Sequence, residues 1–418
     1  MIYLQKNTRK KVRKVKEILF QSIGIGALLI AFFMMFVLIF TIFSKGYTAF
    51  YQHTFRLNIT FKKNIMFDAY NNNDYSNAYT EALVNDSLIH LLRQQGIKDI
   101  SENEVAMLYS KESLNRISDY IISKQSKVLN TSHNFTMLVS SDADMVLKGY
   151  LAEGNLLSAN IITSIKLLYN KGIIHKVFNQ YFFTHPDSRY PEIAGIAVAF
   201  MGSVYTILLT LVFSVVFSIG AAVYLEEFAK QNMLFKIIEV NINNLAAIPS
   251  VIFGLLGLII FEQCLGVPRS SSLLASLVLT LMALPTIIIT SRIALATVPN
   301  TVKEAAYGVG SSKVQVIWHH VLPIATPGII TGIVLGISRI IGETAPLLMI
   351  GMVAFINTIP TSPLDNALVF PVQILLWSDS PELGYIEKAS AAIMLLVMFL
   401  IVMNGVSIYL RNKFSTKL

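Results

Sequence analysis

The sequence is poor in charge and in cysteine. Only 14% of its 418 residues are Asp, Glu, Lys or Arg, and Cys264 is the single cysteine. Soluble domains are about one-quarter charged, so this composition excludes an ordinary soluble protein. A single cysteine excludes a disulfide or a thiolate metal site within one chain. The sequence also lacks the Gly-rich phosphate loop of the P-loop type, which excludes nucleotide hydrolysis by that motif.

Long apolar runs take up much of the chain. Apolar residues make up 54% of it, and the mean hydropathy is +0.59. A helix of about 20 apolar residues crosses a hydrocarbon core of about 30 Å. Six runs reach that length, at residues 19–43, 193–225, 237–261, 273–297, 331–355 and 389–410. The sequence therefore predicts an all-α polytopic membrane protein with six transmembrane helices.

The net charge of +8 is concentrated at the N-terminus, directly before the first apolar run. The basic residues there are Lys6, Arg9, Lys10, Lys11, Arg13, Lys14 and Lys16. Such a cluster marks the cytoplasmic side of a first span and attracts anionic lipid headgroups. No small-residue cleavage site follows, so we expect an uncleaved span and no nucleic-acid partner. With six spans, both termini are expected in the cytoplasm.

Residues 45–192 differ from the rest, because charges of both signs are interspersed and no run is long enough to cross a membrane. Phe55, Leu57 and Ile59 alternate with polar residues, which predicts a strand. Ser101 and Glu104 have the spacing of a capping box that opens a helix reaching Ile121. We therefore expect a small mixed α/β soluble domain, inserted between the first and second spans and outside the cytoplasm.

Three segments follow from these patterns. Residues 1–44 hold the basic N-terminus and the first span, residues 45–192 the extracytoplasmic domain, and residues 193–418 the other five spans. Neither a metal-ligand spacing nor a nucleophile elbow occurs in the central segment. We expect no cofactor and no enzymatic activity, and we interpret the scattered histidines as solvated side chains.

A modestly polar segment, residues 304–323, separates the fourth and fifth apolar runs. Asn300 or Thr301 is expected to cap a first short helix there, and the glycines Gly308 and Gly310 to end it. Ser312 and Gln315 then form a capping box for a second helix, which Pro323 stops or kinks. A polar hairpin between two spans lies in water or against a protein partner.

The pattern of this segment resembles the coupling loop of ABC-importer permeases. The residues on which this resemblance rests are Glu304, Ala305, Ala306, Gly310, Leu322 and Pro323. The resemblance implies an ABC-importer permease (MetI-like) core whose loop sits in a groove of a cytoplasmic ATPase. Six spans place the segment on the cytoplasmic side, where such a partner can reach it.

Ionisable residues within apolar runs mark a functional path by default, because they are costly there. The fourth run holds Arg292, and the fifth holds Arg339 and Glu343. Arg339 and Glu343 are four positions apart, so we expect them on one helix face. A guanidinium presents a planar fork to an oxyanion, and Thr344 adds a hydroxyl nearby. From chemistry alone, a path for an anion and a structural ion pair remain equally open.

From about residue 193 to its end, the chain resembles the permease subunits of phosphate-specific ABC importers. The strings that carry the resemblance are Gly-Ser-Val-Tyr-Thr at 202–206, Ile-Pro-Ser-Val-Ile-Phe-Gly at 248–254, Leu-Pro at 284–285, Gly-Glu-Thr-Ala-Pro at 342–346, Pro-Val-Gln-Ile at 371–374 and Trp377. The resemblance implies that Arg339 and Glu343 serve the phosphate path. Many members have a further Arg at the position of Ile289, and here Arg292 follows about one turn later.

The same resemblance implies the partners and the location. These are a second homologous permease, a cytoplasmic ATPase dimer that hydrolyses the ATP, a periplasmic phosphate-binding protein, and the lipid of a bacterial inner membrane. Two alternatives are a permease for sulfate or molybdate and a membrane sensor that uses residues 45–192. A sensor needs a cytoplasmic output domain, and a membrane enzyme needs paired carboxylates or clustered histidines at membrane depth. Neither pattern is present in the sequence.

Overall fold

The computed structural model describes residues 2–61, 77–97, 100–124, 131–150, 157–353 and 355–415. The side chains of the first dozen residues, which include several of the basic ones, lie outside the described part. The chain begins with one long helix, α1, Ile2–Gly46, followed by a short 3-10 turn, Tyr47–Phe50. Its apolar side chains from Ile18 onward are exposed, as expected of a helix that faces lipid.

A small domain with a three-stranded sheet follows the first helix. Its elements are β1 Tyr51–Thr60, α2 Asn77–Gln94, α3 Glu102–Ala106, α4 Lys111–Lys124, β2 Ser132–Leu138, α5 Ser141–Leu147, α6 Ala159–Asn170, β3 Ile174–Phe178 and α7 Gln180–Thr184. Both neighbours pair antiparallel with the central strand β1, in the order β2-β1-β3. The prediction of a mixed α/β domain is confirmed.

The core of this domain lies between one face of the sheet and the helices. Phe55, Leu57 and Ile59 of β1 point into it, as their alternation predicts, and they pack with Leu88 of α2 and Ile117 of α4. The opposite face of β1 carries polar residues such as Thr54 and Arg56 and does not cover this core.

The helix predicted from Ser101 to Ile121 is divided in two. Its capping box is present, since the Ser101 hydroxyl accepts from the Glu104 N–H. The helix nevertheless stops at Ala106, because the chain beyond it pairs with the sheet instead. Ser110 N–H donates to the Leu138 carbonyl at 2.9 Å, and Tyr109 forms a bridge with Val139. A tertiary hydrogen bond thus replaces the helical one that the sequence pattern favours.

The remaining elements are almost all helical. They are α8 Ala197–Val223 with a π turn Tyr224–Phe228, α9 Met233–Ala246, α10 Ser250–Gly257 with a π turn Leu258–Cys264, α11 Ser272–Ala296, α12 Asn300–Gly308, α13 Lys313–Val316 with a π turn Ile317–Val321, α14 Leu322–Ile341, α15 Ala345–Met349, α16 Phe370–Ser378 and α17 Leu383–Ser415. Five helices in the described part are long and apolar enough to cross a membrane.

The third predicted span is bent. The sequence predicts one straight helix over residues 237–261, but α9 and α10 meet at an angle of 107°. The break falls at Pro249, which cannot donate a hydrogen bond to the preceding turn and biases Ile248 away from helical geometry. If the bent pair counts as one span, the structure has the six spans that the sequence predicts.

The fifth span is shifted toward the N-terminus relative to the prediction of residues 331–355. Its helix runs from Lys313 to Ile341, so α13 and α14 form one continuous element. Pro323 neither ends nor breaks the helix, because it lies just after the π turn Ile317–Val321, where the regular i to i−4 hydrogen-bond pattern is already interrupted. The helix ends instead before Glu343, in the middle of the predicted span.

Close helix packing holds the membrane region together. A Cβ on Gly202 of α8 would lie 2.0 Å from the Leu368 carbonyl, so only glycine fits there. The neighbouring Ser203 hydroxyl accepts from Phe370 N–H at 2.9 Å. The Gly-Ser pair therefore seats the start of α16 against α8.

Candidate functional site

The segment predicted to couple to an ATPase forms a helical turn at the end of the spans that lies away from the sheet domain. α8 begins beside the sheet domain, where Ala197 N–H donates to the His185 carbonyl at 3.3 Å, and runs from there to this end. Helix α12 ends at Gly308, and Gly310 has a φ of +85°, the left-handed geometry that glycine permits. The predicted capping box of Ser312 and Gln315 is present.

One local expectation for this segment is wrong. Neither Asn300 nor Thr301 caps α12, because the helix already includes both residues and follows Pro299 without a side-chain cap. Pro299 fixes the backbone φ at this helix start, and its carbonyl accepts from Val302 N–H at 3.1 Å.

The outward face of the segment is exposed and partly apolar. Glu304 and Ala305 lie on it, while Ala306 is buried and packs with Val316 and Val321 against the helix ends. The large side chains Tyr307, Val309, Val314 and Trp318 are exposed beside them. Exposed apolar groups with a polar rim are typical of a protein-binding surface. Gly310 and Pro323 are exposed, and Leu322 is half-buried.

Five charged residues tie this turn to three membrane helices, and we call them the inner ion cluster: Glu226, Glu227, Glu239, Arg292 and Lys303. Lys303 of α12 contacts Glu227, at the end of α8, with 2.6 Å between Nζ and Oε1. Arg292 of α11 contacts Glu226 at 3.3 Å and Glu239 of α9 at 3.0 Å.

The Arg292 guanidinium also lies 5.4 Å from the ring centroid of Phe235. Two carboxylates and an aromatic face therefore already compensate the predicted path residue. A guanidinium without a carboxylate partner attracts an anion most strongly, and Arg292 already has two such partners. Its geometry suits the joining of α11 to α8 and α9.

Two distant sequence motifs meet at the other end of the bundle. Helix α10, from the Ile-Pro-Ser-Val-Ile-Phe-Gly string, packs on α15, from the Gly-Glu-Thr-Ala-Pro string. A Cβ on Gly254 would lie 2.7 Å from the Pro346 carbonyl and from Met349 Cβ. The bend at Pro249 turns α10 toward this contact. The structure thus brings together two of the strings that carry the family resemblance.

Arg339 and Glu343 do not share a helix face, contrary to the expectation. Arg339 is exposed in the last turn of α14, whereas Glu343 follows the helix end at Gly342 and is half-buried. Among the residues that the structure describes, no ion pair joins them. Thr344 precedes the first turn of α15 and is half-buried. The Arg339 charge is therefore open to a partner or an anion.

Sequence reasoning missed four members of the inner ion cluster: Glu226, Glu227, Glu239 and Lys303. A signal was available, because Glu226 and Glu227 directly follow the second apolar run. The end of that run faces the same side of the membrane as the end of the fourth run, where Arg292 lies. Sequence reasoning also missed Asp187, a buried carboxylate that accepts from Gln373 Nε2 at 3.1 Å and from Trp377 Nε1 at 3.0 Å. Gln373 and Trp377, both among the residues that carry the family resemblance, thus hold the loop that contains Asp187. No cluster of three metal-ligating side chains occurs in the described part of the chain.

Comparisons with known proteins agree with this architecture. A family model described as "Binding-protein-dependent transport system inner membrane component" matches residues 214–414. A second, described as "Domain of unknown function (DUF3333)", matches residues 7–154.

Two curated relatives match at similar identity. "Phosphate transport system permease protein PstC" of Pasteurella multocida is 33% identical over 214 residues, covering 45% of this chain and 66% of that protein. "Phosphate transport system permease protein PstA" of Yersinia pestis is 32% identical over 214 residues, covering 50% of this chain and 70% of that protein. The matches thus span about two thirds of the relatives' lengths. A chain of the MetNI methionine ABC transporter, solved in inward-facing conformations, is 18% identical with a TM-score of 0.41, covering 52% of this chain and 96% of that chain.

Long apolar helices, with one bent pair among them, define a polytopic membrane protein. The chain belongs to the family of binding-protein-dependent transport system inner membrane components. Within that family, its similarity extends to the phosphate permeases named PstA and PstC.

Proposed function

We propose that the chain is a permease subunit of an ATP-driven importer that carries inorganic phosphate across a bacterial inner membrane. The proposal takes its substrate from the names of the relatives and its mechanism from the geometry of this chain. A second, homologous permease completes the membrane pathway, and a separate ATPase dimer hydrolyses the ATP. A periplasmic phosphate-binding protein delivers the anion, and both termini lie in the cytoplasm.

The observation that carries the proposal is the exposed turn of residues 304–323 and its attachment to the bundle. Its apolar outward face, with Tyr307, Val309 and Trp318, suits burial in a partner. Its inner side contacts α8 through the Lys303–Glu227 pair. A partner that moves this turn therefore acts directly on membrane helices. In the proposal, Glu304, Ala305, Gly310 and Pro323 form the exposed part of the ATPase-coupling segment, and Ala306 and Leu322 support it from beneath.

Arg339 supplies the positive charge of the proposed phosphate path. Its side chain is exposed on α14, and no carboxylate of the described part of the chain pairs with it. An unpaired guanidinium lowers the cost of passing an anion through a region of low dielectric. Glu343 and Thr344 lie just beyond the helix end, where the carboxylate limits how tightly the anion is held, as release requires.

Arg292, also predicted for the path, has a different role in this proposal. Two carboxylates within 3.3 Å already offset its charge, so it joins the helix ends rather than the anion. Replacement by Gln then disturbs coupling between ATP hydrolysis and uptake more than phosphate affinity, which separates the two roles.

The test is uptake by the complete transporter in proteoliposomes. Radiolabelled phosphate is placed outside, with the binding protein, and ATP inside. We expect ATP-dependent uptake that excess sulfate or molybdate does not compete away. Uptake of either of these anions in preference to phosphate overturns the substrate, and absence of any ATP-dependent uptake overturns the importer function and leaves the sensor as the better reading.

The same assay tests the path residue. The Arg339→Gln variant should lose at least about tenfold in uptake rate, since one charge-assisted contact contributes about 1.5–3 kcal/mol. The matched control is Arg411→Gln, which removes another exposed arginine from a spanning helix. Assembly with the partners should be unchanged in both. Normal uptake by Arg339→Gln contradicts the assigned path.

A further inference from the structure

A cavity of about 350 Å³ opens between the sheet of the outer domain and helix α7. Gln52, on its floor, follows the end of the first long helix by only a few residues. His185, on its wall, accepts through its carbonyl from Ala197 N–H, at the start of α8. The cavity therefore lies where the domain meets two spans. Its volume is within the range of small-ligand sites.

The floor of the cavity is the sheet face that does not cover the core. Thr54 pairs with Leu138, and Gln52 pairs with Val177, so all four side chains point to this face. Phe55 and Leu57 point the other way, into the core. The floor thus presents a hydroxyl and an amide between two apolar groups.

The wall adds hydrogen-bonding groups from β2 and α7. Thr136 and Thr184 contribute hydroxyls, and Gln180 contributes a second amide. Hydroxyls and amide N–H groups donate readily to the oxygens of an anion. Several of them converge on one small volume.

Arg116 provides the only full positive charge among the residues that line the cavity. Its guanidinium donates to the Tyr181 hydroxyl and lies 5.1 Å from the centroid of that ring. None of the eleven lining residues is Asp or Glu. Within the described part of the chain, no ion pair includes Arg116. The tyrosine thus positions a cation that makes no ion pair in the described part of the chain, and Glu112, one helical turn earlier, is the nearby carboxylate that also acts on His185.

The contrast with Lys148 shows why this matters. Lys148 is the lysine at the junction of the same domain with α17, and two carboxylates contact it at 2.7 Å. Buried or partly buried cations in proteins normally have such partners. Arg116 differs from Lys148 in both respects, because it is exposed at the edge of the cavity and no carboxylate among the described residues lies within ion-pair distance, so an anion from solution can reach its guanidinium.

We propose that this cavity binds a small oxyanion, with Arg116 as its charge partner and the hydroxyls of Thr54 and Thr136 as further donors. The Thr184 hydroxyl already donates to a backbone carbonyl of α7. Burial and the adjacent Arg116 lower the pKa of His185, so the ring is neutral near pH 7 and serves as a hydrogen-bonding group. The proposal concerns binding by the outer domain and does not depend on the transport function proposed above.

The test is equilibrium dialysis of the purified full-length chain against radiolabelled inorganic phosphate. All proteins carry Arg339→Gln, so that the proposed membrane path does not contribute. Adding Arg116→Gln should weaken binding at least about tenfold, the effect of losing one charge-assisted contact. Lys111→Gln, which removes a positive charge from the same helix outside the cavity, should leave the affinity unchanged.

A second variant keeps the test decisive if Arg116→Gln folds poorly. Thr136 lies in the cavity wall at an exposed strand position, so Thr136→Glu is tolerated by the fold and places a carboxylate beside Arg116. It should abolish binding. Competition by unlabelled sulfate is expected, because both anions are tetrahedral. The proposal is overturned if Arg339→Gln alone shows no saturable binding, or if both cavity variants bind as tightly as their parent.

Discussion

Two groups of ion pairs hold this molecule together at its opposite ends, and they differ in exposure. At the outer end, Lys148 lies 2.7 Å from Asp144 and 2.7 Å from Glu387 of α17, with the lysine side chain 1% exposed and the Glu387 side chain 4% exposed. His53 contacts the same Asp144 at 2.7 Å. In the inner ion cluster, the Lys303 side chain is 20% exposed and the Arg292 side chain 19% exposed.

This difference in exposure indicates which group of ion pairs is rigid and which can open. A buried pair opens only at a high cost, because each charge is then left without water or a partner. A partly exposed pair opens cheaply, since water replaces the partner. The outer group therefore fastens the sheet domain to α17 in one geometry. The inner group is suited to helices that must change their relative positions.

The most disruptive test removes the lysine of the outer group. Lys148→Met leaves Glu387 buried without its lysine partner and Asp144 with His53 alone, and we expect it to lower the free energy of unfolding by about 3–5 kcal/mol. Thermal unfolding of the detergent-solubilised chain measures this. The control is Lys171→Met, whose lysine is exposed and contacts Gln95. Equal melting temperatures for the two variants contradict a rigid outer joint.

A second test uses pH on the same group of buried charges, since Glu192 lines one small cavity with Asp144, Lys148 and Glu387. Burial raises the pKa of Glu192 above its usual 4.5, so the folded protein holds that proton more tightly than the unfolded chain does. This contribution to stability is full below about pH 4.5 and is lost as the pH rises through the folded-state pKa. The melting temperature should fall as the pH rises from 5 to 8.

Glu192→Gln should flatten this dependence, because the amide does not titrate. Exposed Glu102→Gln serves as the control and should retain the slope of the wild type. If both variants follow the same curve, Glu192 is not the group responsible.

The inner ion cluster should respond to charge reversal with a smaller loss of stability and a larger loss of coupling. Lys303→Glu places two carboxylates together, one of them the largely buried Glu227, and should lower phosphate uptake per ATP hydrolysed, at a smaller stability cost than Lys148→Met. The double variant Lys303→Glu, Glu227→Lys restores the pair in reverse and should recover most of the coupling. A double variant as poor as the single one rules out the pair as the transmitting contact.

The smallest effect on stability is expected outside both groups. Glu304 is exposed and makes no ion pair within the described part of the chain, so Glu304→Lys should not change the melting temperature. It should instead weaken co-purification of the ATPase. Glu17→Lys, at another exposed glutamate, is the control. Co-purification of the Glu304 variant at the control level contradicts its place in the docking surface.

Much of this architecture was predictable because its signals are local. Apolar length located most of the spans but placed the fifth too far along the chain, alternation located β1, and the Ser312 capping box with Gly310 located the turn within residues 304–323. The bend at Pro249 was not predicted, although the proline was visible. Its consequence depends on α10 finding a surface on α15, about ninety positions further along the chain.

The ion pairs were harder to predict for the same reason. Lys148 and Glu387 are 239 positions apart, and Arg292 and Glu226 are 66 apart. Charges in or beside apolar runs mark candidates, but only the packing of helices decides which of them meet. The role of Arg339 stays a prediction, since its neighbours in a complete transporter lie on other chains.

The unbroken helix from Lys313 to Ile341 acts as a lever. It begins in the turn proposed to contact the ATPase and ends two residues after Arg339. At about 1.5 Å per residue, Lys313 and Arg339 are about 39 Å apart along this helix. A rigid rod of that length, tilted by about 5° at one end, shifts the other by about 3 Å, which is comparable to the diameter of a water molecule. In the proposed importer, a small tilt imposed by the ATPase would therefore move Arg339 by a distance comparable to the size of the anion.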